Sequence, residues 1–215
     1  MFIDSALSCC LLLLASGCCI YLTGKWSTRS FSKLQPDIIA TTIGVLAISF
    51  RSSLSLLSPF YNHALYPIDP LEIDDEDNTK IQSRIIPFYH VLCRILSMGG
   101  FIYAVCEAQG NRHIGIIIIS TLTFIEYVHA MYTNYSSQLS DKYFHFLWMV
   151  GGGTLGWKYG NNYWLLAYLP YCITFLVLTP EKDFPWSVEQ IINNYMMIAH
   201  IFLMLDAVRE ARSIN

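Results

Sequence analysis

Seven apolar stretches separated by short polar breaks run along the chain, at 6–23, 37–58, 86–106, 114–132, 143–157, 163–179 and 189–208. A helix needs about 20 apolar residues to cross a hydrocarbon core of about 30 Å. Most of these stretches meet that length, while 143–157 and 163–179 fall short of it. The pattern predicts an all-α, polytopic membrane bundle of about seven transmembrane helices, with residues 1–215 forming one domain. A re-entrant hairpin over 143–179 is the alternative; it leaves five crossings and the same sidedness for the rest. Gly152/Gly156 and Gly156/Gly160 have the GxxxG spacing that lets helix backbones approach closely. Pro170 is expected to kink the sixth segment.

Composition agrees with this pattern. The 215 residues are 54% hydrophobic and 13% charged, with a mean hydropathy of +0.41. Soluble domains carry roughly 25% charged residues. A net charge of −3 and the lack of a basic arm argue against a nucleic-acid partner. Seven cysteines lie in or beside apolar runs with no CxxC among them, so they read as small apolar residues. Leu11 to Gly17 followed by Cys18 loosely resembles a cleavage box, yet Met1 to Ser8 holds Asp4 and no Lys or Arg. A secretory signal wants a positive start, so an uncleaved first helix is expected.

Basic residues set the orientation. With the N-terminus outside, the inner side collects Lys25, Arg29, Lys33, Arg112, Lys158, Arg209 and Arg212, and the outer side Lys80, Arg84, Lys142 and Lys182. The outer loop 59–85 holds Asp69, Glu72, Asp74, Asp75, Glu76 and Asp77 without EF-hand spacing, and reads as a solvated acidic loop. Asn134-Tyr135-Ser136 is a glycosylation sequon on the same side. An internal membrane such as the endoplasmic reticulum is the expected home.

At about 1.5 Å of rise per residue, several polar side chains fall at one depth in the outer half. They are Arg51, His90 and Arg94 one turn apart, Glu126 and His129 at i, i+3, His145 close to the surface, and the stripe Glu189, Asn193, His200. Ionisable groups at such depth are expensive unless used or paired. A shared pocket is therefore expected, with Glu126, His129 and His200 as catalytic candidates and Arg94, Arg51, Asn193 and His90 as substrate-binding ones. Desolvation alone favours a neutral Glu126, the form of a general acid. Arg94, if close, would instead hold it ionised in a structural pair between helices three and four. Arg51 reads equally as snorkelling to headgroups, and Asp206 as an inner anchor paired with Arg209.

No HExxH, GxSxG, P-loop or GxGxxG is present, and no metal or other cofactor is expected. His90 and His129 form the one pairing suited to haem, without a second pair. Retinal attachment is excluded on the seventh helix, which lacks lysine between Val188 and Val208. In size, helix number and the acid at Glu126 the chain resembles the small integral-membrane terpene cyclases of fungal meroterpenoid pathways. That resemblance implies cofactor-free cyclisation of a polyprenyl substrate, with Glu126 as proton donor and Asp206 as a second acid. The intramembrane arginines depart from that mechanism. The reading is an enzyme doing acid/base work on a lipid-soluble substrate: cyclisation, isomerisation or epoxide opening. Membrane lipids and partner membrane proteins are the other expected contacts. A non-catalytic scaffold or assembly subunit, or a small transporter, is the alternative.

Overall fold

The computed structural model describes residues 2–29, 35–65, 91–132, 138–178 and 188–214. Those residues form seven helices and no strand. They are α1 (Phe2–Arg29), α2 (Pro36–Leu65), α3 (Val91–Ala108), α4 (Arg112–Tyr132), α5 (Gln138–Tyr159), α6 (Asn162–Val177) and α7 (Val188–Ile214). Ile3–Lys25, Pro36–Leu54, Val91–Ala108 and Val188–Ser213 are long and apolar enough to cross a membrane. The chain is an all-helical membrane bundle, in agreement with the hydropathy pattern. His90, the acidic residues Asp69 to Asp77 and the sequon lie outside the described residues, while 59–65, expected to open the outer loop, continue α2.

α7 is the hub, packing against α6, α1, α3 and α2, while α3 joins α2 to α4. The seam between α4 and α5 is the thinnest of the neighbouring pairs. Leu12, Met98, Phe101, Trp148, Trp164, Ile201 and Met204 are fully buried where these helices meet. Lipid is as apolar as leucine, so such packing holds helices together through close fit and polar ties rather than through escape from water. The GxxxG expectation is met at Gly152 and Gly156. A Cβ on Gly152 would collide with the Tyr168 hydroxyl, and one on Gly156 would come within 2.5 Å of Trp164 Cδ1. Trp164 Nε1–H donates to the Gly152 carbonyl at 2.7 Å across this contact. Gly160 is not part of that helix face; it adopts φ 64° in the turn that follows.

Two turns of one design close the α3–α4 and α5–α6 hairpins. Gly110 and Gly160 sit in the left-handed region and each precedes an asparagine. Asn111 N–H donates to Cys106 O at 2.8 Å and Asn161 N–H to Gly156 O at 3.0 Å, which satisfies helix-end carbonyls. Asn161 is wholly buried and ties three helices. Its Oδ1 accepts from Trp164 N–H at 2.8 Å, and its Nδ2–H donates to Ala207 O at 2.9 Å. At the same end Arg212 Nε meets Asp37 Oδ2 at 2.6 Å. That pair, rather than the expected Asp206–Arg209 contact, anchors α7; among the described residues Asp206 makes no ion pair. α5 and α6 run antiparallel as 22-residue and 16-residue helices.

Two helices contain a π-helical stretch, Ile95–Gly99 in α3 and Ile173–Val177 at the end of α6. The second begins three residues after Pro170, whose missing N–H disturbs the regular ladder just before it. π-stretches insert one extra residue per turn and cluster at functional sites.

Candidate functional site

Arg94 and Glu126 meet inside the bundle. Arg94 Nε lies 3.0 Å from Glu126 Oε1, and neither side chain has any solvent exposure. Trp148 Nε1–H donates to the other carboxylate oxygen, Oε2, at 2.9 Å. Three helices, α3, α4 and α5, thus converge on one carboxylate with both oxygens engaged. Glu126 accepts a hydrogen bond from Trp148, while its contact with Arg94 Nε is a close ion pair without hydrogen-bond geometry. Of the two outcomes open in the sequence, the geometry has the ion pair. The tie also crosses the thin α4–α5 seam, where apolar packing is weakest.

The histidines occupy separate places. His129 packs its ring on Phe144 at 5.0 Å, in the α4–α5 seam. His200 is fully buried, with Nδ1 2.8 Å from Ala167 O, so Nδ1 carries the proton and donates to that carbonyl. Its Nε2 faces apolar surroundings with no hydrogen bond, beside Phe101 and Tyr171. His145 differs from expectation most. Placed near the surface by its position in the sequence, it is 1% exposed because α5 turns it toward α6. There His145 Nδ1 lies 2.5 Å from the Tyr171 hydroxyl, and its ring stacks on Phe175 with 4.0 Å between centroids and 7° between planes.

Tyr171 and Phe175 also line a cavity between α2, α3, α6 and α7. Its polar wall comprises Arg51, Ser52, Ser97, Gln190, Asn193 and Asn194. The Arg51 guanidinium lies over the Phe175 ring, 4.7 Å from its centroid. Both π-stretches open onto this space, one through Ser97 and the other through Phe175. The volume is about 30 Å³. One water needs a cavity of at least about 10–15 Å³, so the space admits water.

Behind that wall runs a polar tie between α1, α2 and α7. Ser52 Oγ and Gln190 Nε2 both donate to Asn194 Oδ1, at 2.8 and 3.2 Å, while Asn194 Nδ2 donates to Ser8 Oγ at 2.9 Å. Asn194 is therefore well committed. Asn193, one residue earlier and turned into the cavity, makes no side-chain hydrogen bond among the described residues, and its Oδ1 is buried.

The candidates anticipated from sequence thus divide. Arg51 and Asn193 come together on the cavity, Arg94 and Glu126 come together in the buried pair, His200 packs against the cavity-lining Tyr171, and His129 packs on Phe144. His90 lies outside the described residues. Sequence reasoning missed Trp148 and Tyr171 as polar partners, and it missed Ser52, Gln190 and Asn194. No family model, curated protein or solved structure matches the chain.

Proposed function

We propose that this is a multi-pass membrane protein, N-terminus outside, of an internal membrane such as the endoplasmic reticulum. In this reading it handles the polar end of a lipid-soluble substrate in the α2–α3–α6–α7 cavity by cofactor-free acid/base chemistry. The observation that carries it is Tyr171, which lines the cavity and whose hydroxyl is bonded to His145 Nδ1. Tyr171 would give its proton to a substrate oxygen or alkene carbon and recover one through His145. The reverse transfer removes a proton afterwards. General acid/base groups of this kind contribute about 10²–10⁴-fold. The reaction classes remain isomerisation, epoxide opening and cyclisation.

The likeness to membrane terpene cyclases bears on this reading through the helix number and size alone. Glu126, which would be its proton donor, is held by Arg94 and Trp148, and it is absent from the cavity lining. A second reading, a non-catalytic scaffold or assembly subunit, is favoured by that same sealed pair. The test is incubation of purified protein in nanodiscs with a total lipid extract, followed by untargeted mass spectrometry. The catalytic reading expects species that change with wild-type protein and stay unchanged with folded Tyr171→Phe or His145→Gln. A lipid profile unaltered by wild-type protein would leave the scaffold.

A further inference from the structure

We propose that α7 carries a dimer interface, and that its occupant is a second copy of this chain joined through reciprocal Asp206–Arg209 pairs. Although α7 is the hub of the fold, less than half of its apolar stretch is buried inside the bundle. Tyr195, Ala199, Phe202 and Arg209 are exposed, and Asp206 is half-buried. These positions recur at steps of four, three, four and three residues. That is the 3.5-residue repeat along which two helices pack. Ala199 is a small residue in the stripe, where helix backbones can approach closely.

Charge identifies what covers the stripe. Asp206 lies about 10 Å inside the inner end of the Val188–Ser213 span, and Arg209 follows one turn nearer the surface. Neither makes an ion pair or a side-chain hydrogen bond among the described residues. Arg212, the next cation along α7, is taken by Asp37. Ionisable groups in a span are costly and normally paired. Two opposite charges one turn apart that leave each other alone therefore call for a partner with the same two charges. An all-acidic or all-basic partner would match one of them and oppose the other. Every copy inserts with the same sidedness, so a two-fold axis stands along the membrane normal. It sets the two α7 helices parallel, with each residue at the depth of its counterpart. Asp206 of one copy then lies about 4.5 Å along the axis from the partner's Arg209. An arginine spans that offset between helices packed about 8–10 Å apart, and the symmetry forms the contact twice.

Full-length protein carrying a donor or an acceptor dye at its N-terminus, reconstituted in phosphatidylcholine vesicles, tests this by energy transfer across protein-to-lipid ratios. Wild type is expected to show transfer above the random-proximity level, saturating as a dimer does. Asp206→Arg and Arg209→Asp, each alone, set like charges against each other at both contacts and should weaken association at least about tenfold. Donor-labelled Asp206→Arg mixed with acceptor-labelled Arg209→Asp brings opposite charges face to face again. That mixture should return to within about threefold of wild type. An Asp206–Arg209 pair closed within one helix would gain nothing from the mixing. Because a reversed charge can also impair insertion, Asp206→Asn and Arg209→Gln provide milder variants, with unfolding midpoints as the check on folding. Each should weaken association about threefold or more. Wild type at the random-proximity level would overturn the proposal. So would well-folded reversals that associate like wild type, or a mixture of the two that recovers nothing.

Discussion

The bundle contains two polar centres of opposite character. At α3–α4–α5, Glu126 engages both Arg94 and Trp148, and none of the three side chains is exposed. At α2–α3–α6–α7, Arg51, Asn193 and Tyr171 border a void, and the Asn193 amide makes no hydrogen bond among the described residues. Both consist of residues that are costly in lipid, so cost alone does not identify function. Saturation does separate them. A carboxylate with both oxygens engaged holds helices together, while an uncommitted amide on a cavity awaits something.

Breaking the saturated centre should have the largest effect. Removing one partner of a buried pair strands the other charge, at about 3–5 kcal/mol. Arg94→Met and Glu126→Leu should each lower the unfolding midpoint steeply in detergent, whereas the double variant should recover much of the loss. Equal losses in the single and double variants would remove the pair from the account. Next comes the glycine contact beside it. Gly152→Ala places a methyl on the Tyr168 hydroxyl and should cost about 1–3 kcal/mol by overpacking, read from the same unfolding curves. At Gly153 an added Cβ would meet nothing within 4 Å, so alanine should be accepted there without loss.

The receptive centre should respond differently. Tyr171→Phe removes the hydroxyl bonded to the buried His145 Nδ1 and should cost about 1–3 kcal/mol of stability. A loss on the scale of the Glu126 variants would mean that the two centres are alike. The smallest expected effect is Ser49→Ala. It deletes the 2.5 Å bond from Ser49 Oγ to Ser16 Oγ between α2 and α1. Interhelical hydrogen bonds in membranes average about 0.6 kcal/mol, so the midpoint should shift by little more than experimental scatter.

The helices were legible because each apolar run is bounded by polar residues, and the Arg94–Glu126 pair because two opposite charges so deep have few other partners. The direction in which a side chain faces was much less legible. A membrane helix is apolar on its lipid side as well as its packed side, so hydrophobic periodicity does not fix its rotation. His145 shows this, since its place near the start of α5 suggests the surface while its rotation buries it against Tyr171. The π-stretches add a second reason. One extra residue in Ile95–Gly99 turns every following position by about 100° relative to a regular helix. Ser97, within that stretch, lines the cavity, while Arg94 just before it pairs with Glu126 on α4. Gly99 and Gly100 in α3 and Pro170 in α6 are the sequence traces of these irregularities, and only the proline carried a specific expectation. Asp206 failed for a simpler reason: Arg212 found Asp37 across the bundle, and nearness in sequence did not decide the pairing.

A double-mutant cycle on Arg94 and Glu126, followed by reversible unfolding in mixed micelles, tests the central distinction most directly. A sealed lock predicts a coupling energy between about 1 and 3 kcal/mol, with the double variant more stable than the sum of the single losses. Single losses that add to within about 0.5 kcal/mol would contradict it, and would restore Glu126 as a candidate acid.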